Sequence, residues 1–288
     1  MKRFLKRHWS GIALGFVIVI GMCLLAYPTV SDWYNSIHQS RAISNYMEKV
    51  EQLDETDYSA LLQAAREYNE YLTKKENPLV VEEPEMIRYE ALLNVAGNGI
   101  MGYVSIPKIH VELPIYHGTS DAVLQVAVGH MEGTSLPIGG SSTHTVLSGH
   151  TGLPKAVLFT NLTELKEDDI FMMSVMNETL TYQIDQIKIV LPQETEDLQI
   201  VPGEDYCTLI TCTPYGVNSH RLLVRGHRIE NLPEEEVKEI KPVITVASAP
   251  KEKNLPLLIG GAMSVLILFL ALVIKKTRNR AKKKKKKG

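Results

Sequence analysis

The stretch Thr208-Leu-Ile-Thr-Cys212-Thr-Pro-Tyr-Gly-Val-Asn-Ser-His-Arg221-Leu-Leu-Val-Arg sets a thiol and a guanidinium at either end of a turn. Cys212 closes one apolar, β-branched run and Arg221 opens the next. Between them lie Thr213 to His220, where Pro214, Gly216 and Asn218 supply turn chemistry. Paired as antiparallel strands, the two runs bring Cys212 and Arg221 toward each other. A thiol beside a fixed cation is where a thiolate becomes accessible near neutral pH. The pattern predicts a cysteine nucleophile, with the guanidinium placed for charge that develops during acyl transfer.

Such a site also needs a proton donor for the leaving amine. The chain has nine histidines. His150 is the best placed, in Leu-Ser-Gly-His-Thr-Gly just after a strand-like run. Gly149 and Gly152 let the backbone turn there and leave the ring accessible. His220, in the turn itself, is the local rival, and spacing alone leaves the choice open. For His130 and His144 the expected role is structural, a bond to a backbone carbonyl. Cys207, mid-strand with no nearby cation, reads as a small buried hydrophobe. Arg225 and Arg228 read as structural or solvated.

Several elements must position these groups. Ser31 to Leu72 repeats apolar residues every three or four positions (Ile43, Tyr46, Met47, Val50; then Leu61, Leu62, Ala65, Tyr68, Leu72) and predicts two helices broken near Asp54-Glu55-Thr56. Residues 74–84, with Pro78, Pro84 and three glutamates, read as a loop. A short helix is expected from Tyr89 to Ala96. From Gly102 the texture becomes alternating and punctuated by prolines. Short strands are expected at Thr145–Ser148, Ile170–Val175, Leu180–Val190, Cys207–Cys212 and Arg221–Ile229, with a helical turn at Leu162–Leu165. Many short strands between turns argue for a mainly β fold, a closed barrel or a sandwich. Closure would also remove exposed edges.

A net charge of −2 over 288 residues argues against a nucleic-acid binder and leaves room for one domain plus anchors. The charge is uneven. Lys2, Arg3, Lys6 and Arg7 precede the uncharged stretch 11–27, and Lys275 to Lys287 follow the uncharged stretch 254–274. The second stretch is long enough to cross a hydrocarbon core of about 30 Å. The first is near the minimum and reads as an uncleaved anchor rather than a signal peptide, because Leu24-Leu25-Ala26 is a poor cleavage site. Basic flanks stay in the cytoplasm. The expectation is a cell-membrane protein with both termini cytoplasmic and its catalytic domain extracellular. In order, it has a cytoplasmic segment 1–10, a span 11–27, a helical extension 31–101, a barrel 102–230, a stalk 231–253, a span 254–274 and a basic tail 275–288. Cys207 and Cys212 are five apart on one expected strand and so face opposite ways, which argues against a disulfide between them. With no CxxC pair and no HExxH, no metal or cofactor is expected.

These motifs resemble those of the sortases, specifically the class C, pilus-assembling group. Besides the Cys212–Arg221 stretch, the resemblance is carried by Gly102-Tyr-Val-Ser-Ile-Pro-Lys-Ile, Leu113-Pro-Ile-Tyr-His-Gly-Thr-Ser, Gly129-His-Met-Glu-Gly-Thr-Ser-Leu-Pro-Ile-Gly-Gly and Thr145-Val-Leu-Ser-Gly-His150-Thr-Gly-Leu-Pro. It covers roughly residues 30–230. It implies an eight-stranded sortase barrel, with Cys212 as nucleophile, His150 as general acid/base in preference to His220, and Arg221 as substrate and oxyanion stabiliser. It implies a pilin bearing a Leu-Pro-X-Thr-Gly-like sorting signal as substrate and a lysine of the next pilin as acceptor.

One departure stands out. Class C sortases usually carry a lid with an Asp-Pro-aromatic motif that covers the cysteine and the arginine. The corresponding loop here reads Glu76-Asn77-Pro78-Leu79-Val80. Asn77 offers no charge to Arg221 and Leu79 no ring to Cys212, so a lid here would hold more weakly, a charge-assisted bond being about twice as strong as a neutral one. Two alternatives remain: a sortase that attaches proteins to a cell-wall precursor through the same acyl-enzyme, and a non-catalytic pilus-assembly scaffold. A papain-like hydrolase is disfavoured, because its cysteine opens a helix.

Overall fold

The computed structural model describes residues 2–153 and 156–233. The expected stalk from residue 234, the span 254–274 and the basic tail lie outside the described residues. One compact unit holds the chain up to Pro28, and another begins at Thr29 and contains the barrel.

Helix α1 (Lys2–Glu51) runs through Pro28 without a break. Its early part is long and apolar enough to cross a membrane, with Leu14, Phe16, Val17 and Leu25 all exposed. Beyond Thr29 the helix buries Ile37, Ile43, Tyr46 and Val50 on one face. The Tyr46 hydroxyl donates to Met101 O at 2.8 Å and accepts from Met176 N–H at 2.7 Å. It thereby ties the helix to two strand ends.

Helix α2 (Glu55–Thr73) starts where Asp54 accepts the Asp57 N–H at 2.8 Å, an N-cap, and buries Leu62, Ala65, Tyr68, Asn69 and Leu72. Helix α3 (Glu83–Ala91) begins earlier than its periodicity suggests. Pro84 reads as a loop residue in the sequence, yet it lies in the first turn, where its missing N–H costs nothing. Glu83 and Glu85 beside it suit the positive end of the helix.

Eight strands follow: β1 (Ile100–Ile106), β2 (Val111–His117), β3 (Val128–His130), β4 (Thr143–Ser148), β5 (Ile170–Val175), β6 (Glu178–Val190), β7 (Asp205–Thr213) and β8 (His220–Ile229). They close into a barrel in the order β1-β2-β3-β4-β7-β8-β6-β5. The pairs β2/β3 and β4/β7 are parallel and the rest antiparallel. A short helix, α4 (Asp121–Leu124), lies within the first parallel crossover. Pro114 is tolerated in β2 because β3 pairs only from Ile115 onward, so no ladder bond on that side is lost. Val104, Phe171, Met173, Tyr182, Cys207, Leu209 and Val224 fill the interior. Phe171 and Tyr182 stack with centroids 5.5 Å apart.

Candidate active site

Strand register assembles the site. In the β7–β8 hairpin Cys212 is paired directly with Arg221, and Thr213 with His220. The turn between them is compact, with Val217 and Asn218 N–H both donating to Pro214 O at 3.0 Å. On the other side of β7, the parallel partner β4 runs in register to Ser148, opposite Ile210. The contact continues past the strand end: Gly149 N–H donates to Ile210 O at 3.0 Å, and Thr211 Oγ1 donates to Gly149 O at 2.7 Å. Extending that register by two residues sets His150 beside Cys212. Cys212 and Arg221 are thus cross-strand neighbours, and His150 follows the end of β4 on the strand beside Cys212.

Parity then decides which way the Cys212–Arg221 pair faces. Cys207, Leu209, Leu222 and Val224 turn into the barrel core. Val146, Ile210 and Leu223 turn outward into a second cluster with Leu198, packed against Met131 and Val190. Cys212 lies two residues from Ile210, and Arg221 two from Leu223, so both share that outer face. Cys212 is half-buried, whereas Cys207 is fully buried, and burial pushes the Cys207 thiol well up. All three cysteines are free.

The described histidines separate by what their rings touch. His130 Nδ1 meets Tyr89 OH at 2.9 Å and its Nε2 meets Ser135 O at 2.9 Å. His144 Nδ1 meets Gln199 O at 2.8 Å and its Nε2 meets Thr208 Oγ1 at 2.7 Å. Each bonds a backbone carbonyl, and desolvation lowers both rings to about 4. They are neutral at pH 7 and engaged at both nitrogens. His117 faces Gly99 O and Leu92 O. His220 Nδ1 meets Ser219 Oγ at 2.9 Å in the exposed turn. The His150 ring has no hydrogen-bond partner among the described residues, which leaves it open to a substrate proton.

The arginines of β8 separate similarly. Arg225 grips Asp185 with two bonds, Nε to Oδ1 at 3.0 Å and Nη2 to Oδ2 at 2.9 Å, and lies 4.2 Å over the Tyr206 ring. Arg228 is held by Thr181 O, Ile229 O and Asn231. Arg221 donates through Nη1 to Asn218 O at 3.3 Å and His220 O at 3.1 Å. Among the described residues it has no carboxylate partner. The turn therefore orients the guanidinium without neutralising it, as suits a group that meets developing negative charge.

The loop carrying His150 is held by residues that sequence reasoning did not single out. A Cβ on Gly149 would stand 2.6 Å from the ring of Phe159, which is fully buried beneath it. Phe159 N–H donates to His150 O at 3.1 Å, Gly152 N–H to Thr160 Oγ1 at 3.0 Å and Val157 N–H to Asp32 Oδ1 at 3.0 Å. The glycines on either side of His150 were the visible signal. Nothing local marks Asp32, which is distant in sequence.

In the loop before α3, Lys75 Nζ donates to Val80 O at 2.6 Å and pairs with Glu85 at 2.5 Å. Pro78 is buried, Leu79 is half-buried and Asn77 is exposed. A Cβ on Gly133 (φ +79°) would meet Pro78 O at 2.3 Å and Leu79 Cα at 2.8 Å, so the loop presses on the β3–β4 connection. Met131, two residues away, borders the outer cluster that includes Ile210. Asn77 and Arg221 are not bonded to each other among the described residues.

Comparison with known proteins gives one consistent answer. A family model described as the sortase domain matches residues 104–229. The crystal structure of sortase C1 from Streptococcus agalactiae is 52% identical with a TM-score of 0.64, covering 67% of this chain and 100% of that one. Sortase C-1 from Actinomyces oris is 44% identical with a TM-score of 0.58, covering 61% of this chain and 99% of that one. Sortase A of Streptococcus agalactiae serotype III is 30% identical over 118 residues, 40% of this chain and 47% of that protein. The chain thus spans about half the length of that curated relative.

Proposed function

The chain belongs to the sortase family, and we propose that it is a membrane-anchored cysteine transpeptidase of the class C kind, joining pilin subunits. Cys212 attacks the threonine carbonyl of a Leu-Pro-X-Thr-Gly-like sorting signal. Arg221 N–H groups receive the developing oxyanion. His150 gives its proton to the glycine nitrogen, the C–N bond breaks, and a thioester remains on Cys212. A lysine amine of the next pilin then attacks the thioester and yields its proton to His150. The Cys212 thiolate leaves, and an isopeptide bond joins the two subunits. No cofactor enters this sequence.

The observation that carries the proposal is the direct cross-strand pairing of half-buried Cys212 with Arg221, which has no carboxylate partner among the described residues, beside the strand whose end leads into His150. An exposed, extended face of this kind suits a peptide strand better than an enclosed small molecule. The class C assignment is supported by neighbours at 44% and 52% identity, both sortase C proteins. The proposed anchors are the apolar part of α1 and residues 254–274, with both termini cytoplasmic and the barrel outside. The loop 74–84, with Asn77, Pro78 and Leu79 at its tip, is proposed as a lid, and its close seat on Gly133 supports this.

The test is to trap a sorting peptide as a thioester on Cys212, then to offer candidate amines. Expected are a covalent adduct in the parent and none in Cys212→Ala. Transfer to a pilin lysine rather than to a cell-wall amine separates polymerisation from wall attachment. Full function in Cys212→Ala would mean a scaffold and not an enzyme.

A further inference from the structure

Tyr215 is a large aromatic residue left 70% exposed in the turn that joins Cys212 to Arg221. Burial does not explain its presence there. Its ring instead leans on one particular neighbour. A Cβ on Gly152 would stand 2.8 Å from Tyr215 Cε2 and 3.2 Å from Cδ2 and Cζ, so the ring lies flush against the bare Gly152 backbone. Gly152 has φ +72° and follows His150 by two residues. Its N–H is held by Thr160. One ring therefore bridges the turn of the nucleophile and the loop of the proton donor.

We infer that Tyr215 is a positioning residue for His150, fixing the distance between the imidazole and Cys212. The register of β4 on β7 pins Gly149, but the ladder ends there. The chain from His150 to Leu153 then turns away from the sheet. Among the described residues, the Tyr215 ring of the β7–β8 turn packs against this loop at Gly152. The contact is made by the ring's carbon edge, so the hydroxyl is dispensable. Removing the ring leaves the cysteine, the histidine and the arginine in place but lets the histidine loop drift. A misplacement of about 1 Å can cost about a hundredfold in rate.

This inference rests on the transpeptidase reading, and the experiment separates the two. Full-length Tyr215→Ala, Tyr215→Phe, Gly152→Ala and the Tyr215→Ala/Gly152→Ala double variant are compared with the parent in detergent. For sorting-peptide cleavage, Tyr215→Ala is expected to lower kcat by about ten- to a hundredfold with KM little changed. Tyr215→Phe is expected to restore it. The double variant should lose less than the sum of its parts, since the added methyl no longer meets a ring. An unchanged kcat, a raised KM with kcat intact, a Phe variant as poor as Ala, or strict additivity would each overturn the assignment. Site-resolved alkylation of Cys212 by iodoacetamide needs no peptide. If the parent fails to cleave sorting peptides, the transpeptidase reading falls, while an alkylation rate equal in parent and Tyr215→Ala would still overturn the role of Tyr215 and a severalfold difference would uphold it.

Discussion

Acidification should destabilise the barrel through two buried imidazoles that take no part in the proposed chemistry. His130 and His144 are 0% and 1% exposed, and desolvation lowers each to about 4. In the unfolded chain a histidine titrates near about 6.5. Between these values the unfolded state binds more protons, so stability is full above about pH 6.5 and is lost as pH falls toward 4. At pH 5 an unfolded ring is almost wholly protonated while a folded one is about nine-tenths neutral, which amounts to a loss of roughly 2 kcal/mol per ring relative to pH 7. The two together remove about 4 kcal/mol, a large share of an ordinary margin of about 5–15 kcal/mol. Asp205 acts in the opposite sense. Burial raises its carboxyl, so the folded state takes its proton before the unfolded state does. The measurement is the urea midpoint, followed by circular dichroism at pH 7, 6 and 5, with the slope m checked for constancy. The His130→Asn variant should be weaker than the parent at pH 7, because Tyr89 and Ser135 lose the ring between them. It should also lose only about half as much stability between pH 7 and 5. A parent whose stability is flat over that range, or a variant with the parent's slope, would refute the reasoning.

Three further outcomes are expected. At neutral pH iodoacetamide should label Cys212 and spare Cys207 until the barrel unfolds, since the Cys207 sulfur is fully buried and contacts Met173 Sδ at 3.5 Å; peptide mass spectrometry reads both sites. Asn77→Asp should slow labelling of Cys212, because a carboxylate at the tip of the proposed lid could pair with Arg221; an unchanged or faster rate removes that idea. Gly149→Ala should cost about 1–3 kcal/mol of stability by pushing a methyl into the buried Phe159 ring, and Phe159→Leu should relieve part of it in urea denaturation.

Much of the architecture was legible because it is written in local patterns. The β7–β8 hairpin announced itself through two β-branched runs and a turn rich in Pro, Gly and Asn, and the observed register pairs Cys212 with Arg221. The alternation of short strands gave a barrel or a sandwich, but the strand order β4-β7-β8 did not follow from it, because parallel pairing of β4 with β7 joins segments about 60 residues apart. Strand β3 spans only Val128–His130 and carries too few residues to alternate visibly. Helix α3 was misplaced because a proline signals either a loop or a first turn, and only the chain around it decides which. Among the proposed site residues, Cys212 and Arg221 could be singled out by type and spacing, whereas His150 was preferred to His220 only through the family resemblance. The supports of His150, namely Phe159, Thr160 and Asp32, could not, since each acts through tertiary contact.

The two cysteines of β7 show how narrowly such a site is specified. They differ by five positions, an odd number, so the strand's two-residue period sends one inward and the other outward. Regular pairing from Tyr206 to Thr213 preserves that parity, whereas the neighbouring β6–β8 ladder carries an irregularity between Ile184 and Gln186. A similar irregularity between Cys207 and Cys212 would exchange their environments. The sulfur at 212 would then enter the apolar interior beside Leu209, away from the guanidinium and the imidazole. The chemistry therefore depends less on the cysteine's own neighbours in sequence than on an uninterrupted ladder. Along that ladder Leu209 and Val224 pack inside while Ile210 and Leu223 pack outside. With apolar side chains on both faces, a one-residue slip would not expose the strand, so hydrophobic burial alone does not fix the register. The compact turn from Pro214 to Ser219, closed by the Val217 and Asn218 N–H bonds to Pro214 O, favours the register in which Thr213 meets His220.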